Sequence, residues 1–441
     1  MKRLLSLLLC AVLALFCATT AQAAGVSITL TASEYALHYA FDAGAQDPFV
    51  ILEYTTPAEK GWMMLYSADG RFEGDIALAY SGAGGKTSVA LTSARTTGSV
   101  GKASTTLPKA VDYQKPTGKS NAKVMDFVLT ETPEGFHYAF NAAGTDYMLL
   151  YWRSKEQTVT QPVYPDENGH YEGDVISELT FARTQFTVQV KSGSGSMKKE
   201  ATVRKGYQAP EAPQRQEGRL SGVTVCIDAG HQENGRFVNE PIGPGLTGST
   251  SGKGGMAQGT KTNRRESIVC LEIGMLLRDE LLRQGANVIM TREDQTTFHT
   301  NIERCEIAEA GGAQIMLRLH CNNSSNHSKR GIQVYGPLNS DYAKAVADAD
   351  TYREMGQELL DAMKTRVGMT LANSTGMVRL NDNYVGNNWA KMMCFLVEMG
   401  YLSNPAEEYL LVTPVYQQWL AEGMADGVYE IAVARGWVQA Q

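Results

Sequence analysis

An internal repeat limits what the N-terminal half of this 441-residue chain can fold into. The segment HYAFDA at 38–43 returns as HYAFNA at 137–142, and FEGDI at 72–76 returns as YEGDV at 171–175. In both pairs the second copy starts 99 residues after the first, so one duplication explains them. Short runs of alternating apolar residues, separated by Gly, Asp, Asn and Pro, predict small all-β repeats that are sandwich-like.

The motifs and the local composition divide the chain into five parts. We expect a signal peptide at 1–23, β repeat 1 at 24–110, β repeat 2 at 122–205, a Pro- and Gln-rich linker at 206–219 and an α/β domain at 220–441. A chain of 441 residues is too long for one hydrophobic core, which agrees with a multidomain organisation.

The N-terminus has the pattern of a secretory signal peptide. Lys2 and Arg3 precede an apolar run, and Ala21-Gln22-Ala23 precedes the expected cleavage site at Ala24. A membrane anchor is the weaker alternative because the run is short, and no other apolar run is long enough to span a bilayer. We therefore expect no stable membrane insertion and a location outside the cytoplasm, in the extracellular space, the cell wall or the periplasm.

The charge of the mature chain excludes several classes of partner. Without Lys2 and Arg3, 38 basic residues face 47 acidic ones, which gives a net charge of about −9. The absence of a long basic run argues against nucleic-acid binding and against electrostatic adhesion to an anionic surface. Binding to a cell wall would then depend on shape and hydrogen bonds.

The cysteines do not form the pattern of a disulfide framework. Five of the seven lie outside the signal peptide, and none is part of a C-x-x-C motif. An odd number confined to the C-terminal half predicts buried free thiols. These residues are Cys226, Cys270, Cys305, Cys321 and Cys394.

After the linker, apolar runs alternate with helical periodicity. The runs lie at 223–227, 286–290, 313–319, 331–335 and 392–397. This alternation predicts an α/β domain with a largely parallel twisted sheet flanked by helices. Apolar residues at three- and four-residue steps from Val269 to Leu281 mark one helix, which Gly285 ends, and Thr413-Pro414 is expected to cap and begin another.

Four polar side chains lie where such a sheet would bring them together. In open α/β sheets, ligands bind beyond the carboxyl ends of the strands. His231 follows one predicted strand, and His320 and Glu398 end two others, while Glu266 extends the apolar face of the marked helix. Two histidines and a glutamate are a common ligand set for catalytic zinc. The sequence therefore predicts a metal site of His231, Glu266 and His320, with Glu398 as an additional carboxylate.

Each of these residues has an ordinary structural explanation when it is considered alone. A histidine at the end of a strand often only stabilises a turn. Glu266 is also the kind of first-turn glutamate that the helix dipole favours, and Glu398 would also suit a loop cap. The coincidence of all four favours the metal site. The other histidines lack such a placement and are assigned to structure or surface: His38, His137, His170, His299 and His327.

The motifs around these residues resemble those of the zinc-dependent N-acetylmuramoyl-L-alanine amidases, the amidase type 3 family, over residues 221 to about 436. IDAGH and LRLHCNN resemble the two histidine motifs of the family. RESIVCLEIG resembles the segment that opens with the glutamate ligand, and FLVEMGYLSN resembles the motif of the catalytic glutamate. The resemblance implies that His231, Glu266 and His320 bind one Zn²⁺ ion and that Glu398 is the catalytic base.

The resemblance also implies a secreted cell-wall hydrolase with peptidoglycan as its substrate. Such an enzyme cleaves the amide bond between N-acetylmuramic acid and L-alanine with zinc-activated water, while the glutamate takes up and returns a proton. Three features depart from the family pattern, and one of them is Met393-Cys394, where Pro-Ala is common. The insert at 232–265 is longer than the usual loop, so we expect it to line or cover the cleft, and Arg318 stands where the family often has serine.

Other functions remain open for both halves of the chain. A zinc carboxypeptidase acting on stem peptides would need a glutamate at position 234 for its usual His-x-x-Glu pair, and this residue is Asn234. A non-catalytic cell-wall-binding protein would not need all four site residues. The repeats either bind cell-wall carbohydrate or serve as spacers. The aromatic residues that would either stack on sugars or fill the core include Tyr54, Trp62, Tyr151 and Trp152.

Overall fold

The computed structural model describes residues 18–23, 26–34, 36–78, 81–96, 98–110, 123–132, 135–143, 147–153, 158–176, 185–191, 197–204, 210–232, 238–250, 255–262, 264–367 and 377–440. The described residues up to Arg204 form one compact unit, and those from Pro210 onward form a second.

The described part of the N-terminal unit consists of antiparallel strands. Strand β1 (Ala18–Ala23) precedes the predicted first repeat. The strands of that repeat are β2 (Val26–Ala32), β3 (Ala36–Asp42), β4 (Phe49–Thr55), β5 (Glu59–Tyr66), β6 (Arg71–Ala77), β7 (Gly85–Ser93) and β8 (Ser99–Leu107). Those of the second are β9 (Val124–Thr132), β10 (Gly135–Ala142), β11 (Met148–Arg153), β12 (Thr158–Val163), β13 (His170–Ile176), β14 (Gln185–Lys191) and β15 (Met197–Arg204). The prediction of a largely β N-terminal region is confirmed.

The repeated motifs mark the same packing in both copies. Tyr39 pairs across the strands with Gly74, where a Cβ would lie only 2.7 Å from the tyrosine hydroxyl oxygen. Phe41 stacks on Phe72 with ring centroids 4.8 Å apart. The same contacts recur in the second copy between Tyr138 and Gly173 and between Phe140 and Tyr171. Core packing therefore explains much of the repeated sequence.

Each repeat has its own core, but the two repeats share a sheet. The sheet orders are β1-β2-β3-β6, β13-β10-β9 and β15-β14-β11-β12-β5-β4-β7-β8. The last sheet joins both copies through β12 and β5, which pair at Thr158 and Lys60. Tyr54 and Trp152 are buried in the two cores, with 7% and 0% of their surfaces exposed. These two aromatic residues are therefore core residues rather than stacking surfaces for sugars.

The first described strand overlaps the predicted signal peptide. β1 pairs antiparallel with β2, from Ala18 opposite Thr31 to Ala23 opposite Val26. The preceding residues, 1–17, lie outside the described part of the chain. Cleavage before Ala24 stays a prediction.

The C-terminal unit contains a six-stranded mixed sheet. Its strands are β16 (Thr224–Ala229), β17 (Asn287–Met290), β18 (Ile315–Asn322), β19 (Gln333–Gly336), β20 (Met377–Leu380) and β21 (Met393–Tyr401), in the order β17-β16-β18-β21-β19-β20. The first four strands in this order run parallel to one another, as predicted. In contrast, β19 is antiparallel to its neighbour β21. Only residues 323–332 connect β18 to β19. That connection is shorter than the crossover that a parallel strand requires.

Helices cover this sheet. They are α1 (Glu266–Arg283), α2 (Asn301–Ala310), α3 (Asp341–Val346), α4 (Ala349–Val367), α5 (Val385–Trp389), α6 (Glu407–Leu411) and α7 (Pro414–Ala434). The predicted end of α1 at Gly285 and the start of α7 at Pro414 are confirmed. Thr413 is the N-cap residue, as predicted, but its side chain makes no capping hydrogen bond, and its hydroxyl donates to the Tyr409 carbonyl oxygen instead. None of the helices that the structure describes has the length and apolar character needed to span a bilayer.

The five cysteines outside the predicted signal peptide are free and buried, as the sequence predicts. Cys226, Cys305 and Cys394 belong to one core cluster of the C-terminal unit. Burial raises the pKa of the Cys305 thiol to about 12, so this thiol is protonated at neutral pH. These three cysteines are therefore core residues.

Candidate metal centre

The carboxyl edge of the sheet brings the predicted site residues together. β16, β18 and β21 are parallel neighbours, and His320 on β18 lies in register with Glu398 on β21. His231 follows two residues after the end of β16, and Glu266 is the first residue of α1. All four side chains line one cleft. The strand ends and the helix start therefore converge as the sequence predicts.

Glu266 lies between the two histidines. Its Oε1 atom is 3.0 Å from His231 Nε2 and 3.0 Å from His320 Nδ1. The two imidazole rings are nearly perpendicular, with centroids 4.8 Å apart. Only 4% of the Glu266 side chain is exposed, against 22% for His231 and 15% for His320. The carboxylate thus lies deeper in the cleft than the two imidazoles.

Backbone amides hold the Glu266 carboxylate in place. Its Oε2 accepts a 2.7 Å hydrogen bond from Ala257 N, and its Oε1 accepts a 3.0 Å bond from Cys321 N. Burial acts to raise the pKa of Glu266, but the hydrogen bonds and charges of His231 and His320 outweigh it and hold this pKa well below its usual range. Burial lowers the pKa of His320 despite the opposing effect of Glu266. An ionised carboxylate and a neutral imidazole are the forms that bind metal.

The donor set and its spacing fit a single metal ion. The ligand atoms of His231, Glu266 and His320 lie within 4.8 Å of one another. Atoms bound at about 2.1 Å to one tetrahedral zinc ion stand about 3.4 Å apart. In the described part of the chain, no other group of three His, Cys, Asp or Glu residues is arranged closely enough to hold a metal.

Glu398 is a second carboxylate at the site and is half-buried, and its buried Oε2 atom has no hydrogen-bond partner. Burial, and then the negative charge of Glu266, raise the pKa of Glu398 to about 8. A buried carboxylate oxygen that lacks a partner normally costs stability, so its retention beside a candidate metal site points to a chemical role. This acid is positioned to exchange a proton with a molecule in the cleft.

The insert at 232–265 forms part of the cleft, whose volume is about 910 Å³. Val238, Thr250 and Met256 of the insert line it, as does His299, which the sequence assigned to structure or surface. These residues of the insert therefore line the cleft, as the sequence analysis expected of the insert. The bond from Ala257 N to Glu266 also connects the insert directly to the candidate metal ligands.

Two buried carboxylates anchor the insert to the rest of the domain. Glu240 accepts hydrogen bonds from Asn301 Nδ2 and Ile302 N, at 2.7 and 2.8 Å, at the start of α2. Glu408 of α6 accepts hydrogen bonds from the backbone amides of Lys261 and Thr262. The described part of the insert is therefore a fixed wall of the cleft.

A buried charge network behind the site was not predicted. Asp228 accepts hydrogen bonds from Arg318 Nε at 2.9 Å, from Thr291 Oγ1 at 2.8 Å and from Arg304 Nη1. Burial acts to raise the pKa of Asp228, but the charges of Arg304 and Arg318 hold it well below its usual range. The sequence contained a signal for this network. Asp228 and Arg318 interrupt the apolar runs of two predicted strands, and a charged residue in a buried strand needs a partner of opposite charge. The sheet register places Asp228 beside Arg318.

The fold and the site together define a class of protein. An α/β domain in which two imidazoles and a carboxylate converge at the carboxyl edge of the sheet, beside a second carboxylate with an unpartnered oxygen, is an arrangement that would suit a metal-assisted hydrolase. Residues 225–430 match the family model of the N-acetylmuramoyl-L-alanine amidases. The C-terminal region belongs to this family, which confirms the resemblance of its motifs.

Two curated relatives are similar to the same part of the chain. The germination-specific N-acetylmuramoyl-L-alanine amidase of Bacillus subtilis (strain 168) is 26% identical over 231 residues, which cover 49% of this chain and 83% of the relative. The probable cell wall amidase LytH of Staphylococcus aureus is 27% identical over 218 residues, which cover 48% of this chain and 60% of the relative. Both similarities therefore span about half of this chain.

Solved structures of amidases also align with about half of the chain. The N-acetylmuramoyl-L-alanine amidase from Clostridium difficile 630 is 23% identical, covers 48% of this chain and 96% of its own, and gives a TM-score of 0.38. The amidase Ami1 from Mycobacterium smegmatis is 18% identical, covers 49% of this chain and 100% of its own, and gives a TM-score of 0.43.

Proposed function

We propose that this protein is a zinc-dependent N-acetylmuramoyl-L-alanine amidase that hydrolyses peptidoglycan between N-acetylmuramic acid and L-alanine. The observation that carries the proposal is the convergence of His231, Glu266 and His320 beside the unpaired Glu398, in a region that belongs to this family. In this proposal one Zn²⁺ ion is bound in each C-terminal domain.

The three ligands would hold the ion at the floor of the cleft. A zinc ion bound there supplies a Lewis acid that polarises the scissile carbonyl group and acidifies water. Glu266 provides the negative charge, and the amides of Ala257 and Cys321 fix the orientation of its carboxylate. Such partners of a metal ligand tune its orientation and affinity. The open side of the site faces the cleft, where substrate would bind.

Glu398 would carry the proton during hydrolysis. Its unpaired Oε2 takes a proton from the attacking water as the carbon–oxygen bond forms at the lactyl carbonyl carbon. The same carboxyl group then gives this proton to the departing amine of L-alanine as the carbon–nitrogen bond breaks. Burial and the charge of Glu266 raise the pKa of Glu398, which favours return of the proton from this carboxyl group to the departing amine.

We also propose that the enzyme acts outside the cytoplasm, at the cell wall. The predicted signal peptide and the insoluble polymer that forms the proposed substrate support this location. For the N-terminal unit, binding to cell-wall carbohydrate stays a proposal. The burial of Tyr54 and Trp152 restricts that proposal to other residues of the repeats.

Digestion of purified sacculi tests the proposed reaction. The wild type should release intact stem peptides that carry a free L-alanine amine, identified by mass spectrometry. Glu398→Gln should retain zinc but lower the rate by about 10³-fold or more, since it cannot accept the proton. A matched control is Glu272→Gln, because Glu272 is a buried carboxylate that binds Gln417 away from the cleft; its rate should stay within about threefold of wild type.

The products also separate the alternatives. Release of free D-amino acids would instead indicate a carboxypeptidase. A zinc-loaded wild type that releases no soluble product would indicate a non-catalytic wall-binding protein. Near-normal turnover by Glu398→Gln would contradict the assignment of the base.

A further inference from the structure

We infer that Arg292 is a positioning residue that holds the His231 turn and the start of α1 in the arrangement a metal ion requires. The inference rests on the proposed metal site and deepens it, because it names a residue outside the ligand set on which the ligand geometry depends. Arg292 lies just after β17 and is 2% exposed.

Two arginines bind every main-chain carbonyl group of the turn that carries His231. Arg292 donates from Nε to Ala229 O and from Nη2 to Gly230 O, both at 2.8 Å. Arg304 donates from Nη1 to Ala229 O at 3.0 Å and from Nη2 to His231 O at 3.1 Å. The peptide planes of this turn are therefore fixed from one side by guanidinium groups.

The turn needs this support because its backbone is strained. His231 has a φ of 57°, in the left-handed region that side chains other than glycine rarely adopt. Such a conformation is energetically unfavourable and persists only where surrounding contacts enforce it. The preceding Gly230 is equally constrained, because a Cβ there would lie 2.4 Å from Leu319 O and 2.6 Å from His320 Cε1.

Arg292 also connects this turn to the helix that carries the other ligand. Its Nη2 donates a 2.7 Å hydrogen bond to Ser267 O, and Ser267 directly follows Glu266. One guanidinium group therefore spans the turn that presents His231 and the first turn of α1. A shift of either element would change the 3.0 Å separation between His231 Nε2 and Glu266 Oε1.

The hydrogen bonds that the structure describes for Arg292 all go to main-chain carbonyl groups, the fourth being a 2.8 Å bond from Nη1 to Asp294 O. Burial and the charge of Arg304 lower the pKa of Arg292 to about 10, so the group stays charged at neutral pH. A planar fork with five donors can reach four separate acceptors, whereas a lysine has three donors on one atom. The geometry therefore requires arginine.

The experiment measures metal binding without substrate, in the full chain. Zinc affinity is determined by competition with a chromophoric chelator, and the site geometry is read from the visible spectrum of the cobalt-substituted protein. Arg292→Lys and Arg292→Gln should raise the zinc Kd by about 10- to 100-fold, the usual effect of losing a partner that orients metal ligands. Both should alter the cobalt spectrum while circular dichroism stays that of the wild type.

The matched control is Arg278→Lys. Arg278 is also buried, at 4% exposure, and donates to a main-chain carbonyl group, that of Pro210, but it lies on the part of α1 away from the ligands. Its zinc Kd should stay within about threefold of wild type and its cobalt spectrum should be unchanged, even if its melting temperature falls.

Four results would overturn the inference. Arg292 variants that bind zinc within threefold of wild type would show that the ligands do not depend on this residue. An equal loss of affinity in Arg278→Lys, or failure of both Arg292 variants to fold, would show a general role in stability. A wild type that binds zinc but releases no stem peptides would contradict only the proposed function, whereas a wild type that binds no zinc would contradict both.

Discussion

At the scale of single residues, His231 combines a strained backbone with a side chain of the candidate metal site. Among the described residues other than glycine, only Asp126 and His231 have a positive φ. Strain of this kind is concentrated at functional sites, where the surrounding structure enforces it. His231 is therefore a position at which the site and the stability of the fold are in conflict.

This conflict predicts an unusual order of stability in the metal-free protein. His231→Gly should be more stable than His231→Ala by up to about 1 kcal/mol, because alanine pays the left-handed penalty and glycine does not. Urea unfolding measures the difference. The control pair is His327→Gly and His327→Ala, since His327 lacks a positive φ; there alanine should be the more stable. An alanine variant that is the more stable at position 231 would contradict the strain.

The buried charge of Asp228 predicts a pH-dependent contribution to stability. Asp228→Asn should lower the free energy of unfolding by about 3–5 kcal/mol at pH 7, because it leaves Arg304 and Arg318 without their counter-ion. The folded-state pKa of Asp228 is lowered, so its stabilisation is complete above the pKa of a free aspartate, about 4, and declines as the pH falls below that value. Urea unfolding at pH 7 and at pH 3.5 should show the larger difference at pH 7.

Asp426→Asn provides the control for this prediction. Asp426 also binds two arginines, Arg219 and Arg366, but 24% of its side chain is exposed. A partly exposed pair of this kind, which water screens, contributes about 0–1 kcal/mol. Equal costs for the two substitutions at pH 7 would contradict the assigned importance of the buried network.

The sequence predicts the candidate ligands more completely than the residues that hold them. His231, His320 and Glu398 could be found because each follows or ends a buried strand, where a polar residue is conspicuous. The network around Asp228 could not be assigned in the same way, because its partners Arg304 and Arg318 come from elements 76 and 90 residues away. Such pairing depends on the sheet register, which local patterns do not contain.

At the scale of elements, two buried helix glycines differ in the space around them. Gly427 of α7 faces α4, and a Cβ there would lie 2.7 Å from Leu359 Cδ1 and 2.8 Å from Leu359 Cα. Gly274 of α1 faces the sheet, and its Cβ would meet no atom closer than 3.5 Å. The first glycine is required by packing, whereas the second is not.

This contrast predicts that one substitution has opposite effects in two helices. Gly427→Ala should lower the free energy of unfolding by about 1–3 kcal/mol through overpacking. Gly274→Ala should raise it by about 0.5–1 kcal/mol, because alanine loses less backbone entropy in a helix. Chemical denaturation of both variants measures the two changes. Stabilisation by both would contradict the close approach of α7 and α4.

The sequence predicted only some of the elements of the C-terminal unit, and it did not locate β20 or the helices α2 to α6. Apolar runs located β16, β17, β18, β19 and β21, and periodicity located α1 and α7. The direction of β19 was not predicted, because an apolar run carries no sign of whether its strand is parallel. The short connection at 323–332 is the physical reason for the reversal.

At the scale of the whole molecule, the two halves of the chain differ in the evidence that bears on their function. The C-terminal region has a family, a fold and a converged site. The N-terminal unit has a repeat whose core residues explain the duplicated motifs, and a shared sheet that the repeat pattern did not predict. Pairing between copies depends on edge strands, which sequence similarity within the repeat cannot reveal.

Whether nitrogen, oxygen or sulfur atoms bind the proposed metal ion can be measured directly. Cys321 follows His320 and its thiol hydrogen-bonds to Cys270, so sulfur lies beside the proposed nitrogen and oxygen ligands. Burial raises the pKa of both thiols, which disfavours the thiolate form that binds zinc. The imidazoles and the carboxylate are therefore expected to outcompete sulfur.

X-ray absorption at the zinc edge, recorded on the full chain loaded with one equivalent of zinc, tests this most directly. We predict a first shell of nitrogen and oxygen atoms at about 2.0–2.1 Å with the outer-shell signature of two imidazole rings. A sulfur scatterer at about 2.3 Å, or a spectrum that His320→Ala leaves unchanged, would contradict the assignment of His231, Glu266 and His320 as the metal ligands.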